Sequence, residues 1–205
     1  MISLAPPKGN IELQNYTRWL TENRLIFKVL SAGDPVEGTL LLSGGADIGK
    51  NLVRDELEFG WLKEAIDKKL PILGVCRGMQ VINKYFSGSV ENLSDLIVED
   101  HTSDNFMDDV DHNDRLSNYH WVKDIRGGDK FLVNSRHHQH CSTIGKNLRA
   151  VYYSADLAVE GFVSRDGMIL GIQWHPERNE VNLPSFESCK MIPLNWLKNK
   201  SKISE

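Results

Sequence analysis

The stretch PILGVCRGMQ, residues 71–80, joins an apolar run to a tight turn and then to a helical pattern. The run predicts a buried strand over 72–75, and the pattern after the turn predicts a helix over 77–86. A cysteine at such a corner projects from the strand end among the N–H groups of the following helix. That is the geometry of a nucleophile elbow with sulfur in place of serine. The alternative for Cys76 is a small, buried, unreactive side chain, as free cysteines usually are.

Strands and helices alternate on the amino-terminal side of this stretch. Apolar runs predict strands at 2–5, 25–30 and 39–42, while helical spacing of apolar residues predicts helices over 11–22 and 54–69. Short connections between strands and helices are typical of a doubly wound sheet. We therefore expect an α/β fold with a mostly parallel sheet and helices on both faces.

The carboxyl-terminal half returns to strands after a polar and acidic excursion at residues 95–130. We interpret the excursion as an irregular insertion with a hairpin around 119–123, and expect its histidines, His101, His112 and His120, to be solvent-exposed. Further strands are predicted at 130–134, 148–153, 157–164 and 168–174, and a last helix at about 186–199. No repeat or linker divides the chain, so we expect residues 1–205 to form a single domain.

Composition excludes several classes of function. Of the 205 residues, 40% are hydrophobic and 25% charged, which is ordinary for a soluble globular protein. The net charge of −4 argues against general nucleic-acid binding. No apolar run reaches the roughly 18 residues of a membrane span, and residues 1–7 lack the features of a signal peptide. Three cysteines do not form a disulfide framework, so we expect a cytoplasmic protein without a membrane partner.

A thiol needs a base near neutral pH, because free cysteine titrates at about 8.5. The apolar run that ends in Trp174 delivers His175 to the carboxyl end of a strand, where ligands bind in open α/β sheets. Glu177 can turn back and accept a hydrogen bond from the second imidazole nitrogen, which orients the ring. A solvated loop is the alternative for His-Pro-Glu, and the elbow at Cys76 favours the chemical interpretation.

The segment SGGADI, residues 43–48, follows another apolar strand. Paired glycines allow a backbone to approach a ligand and to turn an N–H group towards it. We therefore interpret the backbone N–H groups of Gly45 and Arg77 as the two donors of an oxyanion hole. An ordinary strand-ending turn is the alternative for this segment.

Together these motifs resemble a known family. GVCRGMQ (74–80), SGGADI (43–48), NSRHHQ (134–139) and GIQWHPE (171–177) are similar to motifs of the class I glutamine amidotransferase superfamily. Their combination most resembles its γ-glutamyl hydrolase branch, peptidase family C26. The resemblance implies a flavodoxin-like α/β fold and hydrolysis of a γ-glutamyl amide through a thioester, and we expect no cofactor.

The resemblance also implies roles for individual residues. It makes Cys76 the nucleophile, His175 the base and Glu177 the acid that orients it. The glutamyl group of the substrate would be held by the residues Gly44, Gln80, Ser135, Arg136 and His137. The branch usually has a proline soon after its GGxDI motif, whereas this chain has Gly49-Lys50-Asn51.

The sequence indicates the type of reaction more clearly than it indicates the leaving group of the substrate. A γ-glutamyl amidate of cytidine diphosphate, used in capsule modification, is our specific expectation among the substrates of the branch. Its diphosphate could meet cations that are otherwise ordinary surface charges, namely Lys50, Arg54, Lys123 and Arg126. Two other functions remain open: a glutaminase subunit that delivers ammonia to a separate synthase, and a non-catalytic binding protein. A synthase or a second copy of the chain would then be its protein partner.

Three histidines of the second half, His137, His138 and His140, could also be interpreted as metal ligands. Zinc sites need a fourth ligand at recognisable spacing, and the partner cysteines would be Cys141 and Cys189. We expect instead that the histidines form hydrogen bonds at and beneath the pocket rim, that both cysteines are structural, and that there is no metal site.

Overall fold

The computed structural model describes residues 1–93, 118–178 and 184–201. It has four described helices: α1 (Asn10–Glu22), α2 (Leu52–Asp67), α3 (Arg77–Tyr85) and α4 (Pro184–Ser201). The described strands are β1 (Ile2–Ala5), β2 (Phe27–Val29), β3 (Thr39–Leu42), β4 (Ile72–Val75), β5 (Ser89–Asn92), β6 (Asn118–Asp124), β7 (Lys130–Ser135), β8 (Gln139–Thr143), β9 (Leu148–Ser154), β10 (Val159–Ser164) and β11 (Ile169–Ile172). Among these helices, none combines the length and the apolar character needed to cross a membrane.

Nine strands form one sheet in the order β2-β1-β3-β4-β11-β10-β9-β6-β7, and β5 pairs with β8 separately. The strands from β2 to β11 in this order run parallel, whereas the pairs from β11 to β7 are antiparallel. Gly74 of β4 pairs with both Leu42 of β3 and Gly171 of β11. These three strands therefore end at one edge, which brings the segments that follow them together and confirms the predicted α/β fold.

Helices cover both faces of the sheet, as expected. Because side chains alternate along a strand, Leu41 of β3 joins the core that contains Trp19 of α1 and Leu197 of α4. Its neighbour Leu42 joins the opposite core, which contains residues of α2 and α3 such as Leu62. Strands buried on both faces explain the continuous apolar runs in the sequence.

The turn from β4 into α3 is strained and tightly packed. Cys76 has φ 51° and ψ −109°, a backbone conformation that residues other than glycine rarely adopt. A Cβ atom on Gly74 would lie 2.6 Å from the backbone of Gly78, and one on Gly78 would collide with the backbone of Leu42. The two glycines therefore let the strand, the turn and the helix approach closely enough to form the elbow.

Helix α2 begins at Leu52, two residues before the predicted start. The side chain of Asn51 accepts a hydrogen bond from the Arg54 N–H at 3.1 Å and so caps the first turn. This cap fixes where α2 starts relative to the SGGADI segment that precedes it.

The middle of the chain contains one expected hairpin and two strands that were not expected. The hairpin expected around 119–123 is present, and these residues form the interior of its first strand, β6, which pairs with β7 across a turn at 125–129. Strands β5 and β8 were not predicted, because neither carries a continuous apolar run. His101, His112 and most of the acidic insertion lie outside the described residues.

The elbow makes a prediction that glycine substitutions can check. Gly78→Ala should lower the free energy of unfolding by about 1–3 kcal/mol, because its methyl group meets the Leu42 backbone. Gly60→Ala is the matched control, since Gly60 lies in α2 with open space around the new methyl group. That control should gain about 0.5–1 kcal/mol from helix propensity. Chemical denaturation measures both, and equal effects would contradict the packing argument.

Candidate active site

Cys76, His175 and Glu177 lie side by side at the carboxyl edge of the sheet. The His175 ring forms a hydrogen bond with the Cys76 side chain, and its Nδ1 lies 2.7 Å from Oε1 of Glu177. All three residues are buried, with Cys76 7% exposed and His175 6%. The imidazole is thus placed between the sulfur and the carboxylate, as a nucleophile, a base and an orienting acid require.

The charge of His175 follows from this placement. Burial alone would lower the pKa of His175, but the charges of Glu177 and the Cys76 sulfur and the hydrogen bonds to both raise the pKa to about 9. Burial would likewise raise the pKa of Glu177, yet the neighbouring imidazolium lowers it. The geometry therefore supports an imidazolium at neutral pH that is flanked by the Cys76 sulfur and the Glu177 carboxylate.

Asn134 holds the backbone of His175 from the end of β7. Its Nδ2 donates to the His175 carbonyl at 2.9 Å, and its Oδ1 accepts from the His175 N–H at 2.8 Å. Asn134 belongs to the NSRHHQ motif, but the sequence predicted no role for it. Its only sequence signal was its position just before the residues expected to hold substrate.

A row of glutamine side chains reaches the sulfur. Gln173 Nε2 lies 3.5 Å from Cys76 Sγ, and Gln80 Nε2 lies 3.5 Å from Gln173 Oε1 and 3.3 Å from the Gln139 carbonyl. Gln173 had no assigned role, although its spacing of two from His175 places both on one face of an extended chain. The structure thus brings the expected substrate residue Gln80 close to the sulfur.

The other expected substrate residues surround this site at different depths. Gly44 lies against the imidazole, since a Cβ atom there would be 2.9 Å from His175 Cε1. Ser135 is fully buried directly after Asn134, and Arg136 is partly exposed. His137 lies in the interior, where its Nδ1 is 2.9 Å from the Gln139 carbonyl.

A buried carboxylate, Glu160, lies between two histidines. Its Oε1 is 3.4 Å from His120 Nε2 and 3.5 Å from His137 Nε2. Burial would raise the pKa of Glu160, but the two histidines lower it below its usual range. The expectation that His120 is solvent-exposed is therefore wrong, because its side chain is only 11% exposed and faces Glu160.

In the part of the chain that the structure describes, no three His, Cys, Asp or Glu side chains form a group able to hold a metal. His138 instead pairs with Asp47, at 3.0 Å between Nε2 and Oδ2. Cys141 and Cys189 are both buried, and burial raises the pKa of Cys141.

The SGGADI segment is held from the first helix. The Gly44 N–H donates to the Tyr16 hydroxyl at 2.9 Å. Tyr16 lies in α1, outside every motif, and its sequence signal was only its place on the buried face of a helix. Gly45 is exposed and has φ 145°, a conformation that favours glycine.

Arg77 contributes two separate groups to this region, a backbone N–H and a guanidinium. Its backbone N–H opens α3 beside the sulfur, where the first turn of a helix lacks internal acceptors. Its buried guanidinium pairs with Asp55 and Glu58 of α2. Burial and the neighbouring Arg54 lower the pKa of Arg77 to about 10, so it is charged at neutral pH.

Two of the four cations expected near a diphosphate are already engaged. Arg54 Nε pairs with Glu58 at 2.8 Å and its side chain is only 11% exposed. Arg126 Nη2 lies 2.7 Å from an Asp124 carboxylate oxygen and 2.6 Å from the Tyr152 hydroxyl. Neither guanidinium is an unengaged surface charge, whereas Lys50 is exposed.

The pKa of His175 provides a second prediction. Removing the negative charge of Glu177 by Glu177→Gln should lower the pKa of His175 from about 9, since that charge favours the protonated ring. The protonated fraction at pH 8 should fall accordingly. The NMR titration of the His175 Cε1–H signal measures this, with Glu187→Gln as the control, because Glu187 is exposed. An unchanged titration in Glu177→Gln would contradict the pairing.

Comparison with known proteins follows the same segments. A family model described as Peptidase C26 matches residues 45–177, which include Cys76, His175 and Glu177. The chain also resembles a crystal structure of a glutamine amidotransferase from Thermotoga maritima. That comparison has a TM-score of 0.66 and 18% identity, and it covers 100% of this chain and 93% of the other. This likeness supports the fold.

Two curated relatives match parts of the chain. One, from Schizosaccharomyces pombe and assigned to the glutamine amidotransferases, is 40% identical over 129 residues, 62% of this chain and 51% of that protein. The γ-glutamyl-CDP-amidate hydrolase of Campylobacter jejuni is 28% identical over 145 residues, 68% of this chain and 62% of that protein. The chain thus spans between half and two thirds of the length of these relatives. With more than half of its residues matched by the family model, the chain belongs to the peptidase C26 family of class I glutamine amidotransferases.

Proposed function

We propose that this protein hydrolyses a γ-glutamyl amide and releases glutamate through a thioester on Cys76. The observation that carries the proposal is the contact of three buried side chains: Cys76 at a strained elbow, His175 bonded to it, and Glu177 bonded to His175. Membership of the peptidase C26 family supports cysteine-dependent amide hydrolysis as the general chemistry.

In the first step, the thiolate of Cys76, whose proton is already on the imidazolium of His175, attacks the γ-carbonyl carbon. The S–C bond forms while the carbonyl π electrons move to oxygen, which becomes an oxyanion. The backbone N–H groups of Gly45 and Arg77 donate to that oxygen. Each such donor typically contributes about 10²–10³ in rate.

In the second step, the tetrahedral intermediate collapses and the C–N bond breaks. The imidazolium of His175 gives its proton to the leaving nitrogen, which departs as an amine or as ammonia. A pKa of about 9 for His175 keeps this proton available at neutral pH, and Glu177 stabilises the charge. Water, deprotonated by the same imidazole, then cleaves the thioester to give glutamate and the free thiol of Cys76.

The glutamyl group is proposed to lie over the row of glutamines and the end of β7. Gln80 is within reach because its amide faces Gln173, which touches the sulfur. The remaining proposed contacts come from Gly44, which follows β3, and from the Ser135–His137 stretch at the end of β7. Both groups lie at the carboxyl edge of the sheet, where α/β proteins bind ligands.

The leaving group is proposed to be an amidate of cytidine diphosphate, which would connect the protein to capsule modification. The γ-glutamyl-CDP-amidate hydrolase of Campylobacter jejuni, 28% identical, supports this substrate. Of the four cations considered, Lys50 is the best placed, because it follows the SGGADI segment and is exposed. Lys123 lies opposite Lys130 in the register of β6 and β7. This is the turn end of the hairpin, whereas Asn134 lies at its other end.

A glutaminase subunit that delivers ammonia to a separate synthase is the second candidate. The relative in Schizosaccharomyces pombe that is assigned to the glutamine amidotransferases favours it. The same three side chains would perform the hydrolysis, and only the leaving group and the partner would differ. A non-catalytic binding protein has no need for the buried arrangement of thiol, imidazole and carboxylate.

Replacing the nucleophile tests the proposal. Cys76→Ala should reduce glutamate release from γ-glutamyl amides at least about 1,000-fold, since no other group can form the acyl-enzyme. The substrates to compare are glutamine, γ-glutamyl-aminobutyrate and a γ-glutamyl-CDP-amidate, with glutamate measured enzymatically. Cys189→Ala is the control, because Cys189 is buried in the core and has no proposed role in the chemistry.

The same assay distinguishes the candidates. A preference for the nucleotide amidate supports the proposed leaving group, and equally weak turnover of all three amides contradicts it. Glutaminase activity that appears only with a co-purifying synthase favours the second candidate. Undiminished glutamate release by Cys76→Ala would exclude the thioester.

A further inference from the structure

The peptide between Gly44 and Gly45 has one orientation, set from outside the reaction site. The Gly44 carbonyl accepts a hydrogen bond from Nη2 of Arg54 at 2.8 Å. In a trans peptide the C=O and N–H bonds point in opposite directions, and no described peptide is cis. The Gly45 N–H is therefore directed away from Arg54, and no hydrogen bond among the described residues engages it.

The opposite side of this peptide is the side of the thiol. A Cβ atom added to Gly44 would lie 2.9 Å from His175 Cε1 and 3.6 Å from Cys76 Cβ. A Cβ atom added to Gly45 would instead collide with Nη1 of Arg54. Arg54 thus lies on one side of the Gly44–Gly45 peptide, and the Cys76 side chain and the His175 imidazole lie near its other side.

We propose that Arg54 is a positioning residue that keeps the Gly45 N–H turned towards the oxyanion. This inference rests on the proposed hydrolysis, and it assigns the orientation of one oxyanion donor to a largely buried guanidinium. Two consecutive glycines allow many backbone conformations, so the peptide needs an external constraint. In the reversed orientation the Gly44 carbonyl would face the site and repel the developing oxyanion.

Arg54 is itself held rigidly by several groups. Its Nε pairs with Glu58 at 2.8 Å, and Nη2 lies 3.2 Å from the Ser43 hydroxyl. Its backbone N–H is bound by the Asn51 cap at the start of α2. A planar guanidinium with one edge on a carboxylate and another on a carbonyl has little freedom to move, and a lysine lacks that fork.

The same ion pairs connect the two oxyanion donors. Glu58 accepts from Arg54 through one oxygen and from the Arg77 guanidinium through the other. Asp55 also pairs with Arg77, and its second oxygen accepts from the Gly49 N–H at 2.7 Å. One network of buried ion pairs, centred on the carboxylates of α2, therefore holds both the Gly44–Gly45 peptide and Arg77. The N–H of Arg77 directly follows Cys76 in the chain.

The test compares Arg54→Gln and Arg54→Lys with wild type, and uses L-γ-glutamyl-p-nitroanilide as the probe. We expect kcat to fall about 10²–10³-fold in Arg54→Gln and less in Arg54→Lys, with little change in KM, because the oxyanion exists only in the transition state. Alkylation of Cys76 by iodoacetamide should keep its rate, since that reaction forms no oxyanion. Lys63→Gln, which removes an exposed ion pair of α2, is the control and should match wild type.

A crystal structure of Arg54→Gln provides a measurement that needs no substrate. We expect the Gly44–Gly45 peptide to rotate, with the Gly45 N–H no longer directed at the site. An unrotated peptide, or a parallel loss of alkylation and turnover, would overturn the inference. If wild type hydrolyses no γ-glutamyl amide, the proposed function fails, while the peptide orientation in Arg54→Gln still decides whether Arg54 is the constraint.

Discussion

The strained backbone at Cys76 is the constraint on which the rest of the site depends. A residue other than glycine at φ 51° costs about 1–3 kcal/mol, and surrounding structure must impose it. Here the Cys76 N–H donates to the Ile172 carbonyl at 2.8 Å, and the Cys76 carbonyl accepts from Gln80 at 3.2 Å. The residue is thus bonded to β11 on one side and to α3 on the other, which holds its side chain at the carboxyl edge of the sheet, near His175.

A second constraint is a set of buried charges that joins α2 to Arg77 of α3 and to the Gly44 carbonyl. Arg54 and Arg77 share the carboxylate of Glu58, and Asp55 supplies a second negative charge to Arg77. Removal of one member of such a set leaves an unpaired buried charge, which typically costs about 3–5 kcal/mol. The network therefore links stability with function, because the helix that carries the carboxylates also fixes the backbone groups proposed to bind the oxyanion.

Sequence reasoning succeeded where the signal was local and failed where partners were distant. The strand before Cys76 and the helix after it were predicted because an apolar run and the glycines that interrupt it are properties of adjacent residues. The strands β5 and β8 were missed because short polar strands carry no such run. His120 was expected at the surface because its neighbours in the sequence are polar. Its side chain instead lies against the buried Glu160, which is 40 residues away in the chain.

The sequence by itself determined which chemistry is available: a thiol at a glycine-flanked corner, an imidazole after an apolar strand, and a carboxylate two residues beyond it. Only the tertiary structure decided that these groups meet, because the parallel pairing of β4 with β11 aligns Val75 with Ile172 and places Cys76 beside the segment of His175. Only the tertiary structure also brings Tyr16, Asn134 and Arg54 into contact with the site. Their roles arise from hydrogen bonds across the sheet edge, and such bonds depend on proximity in space rather than on spacing along the chain.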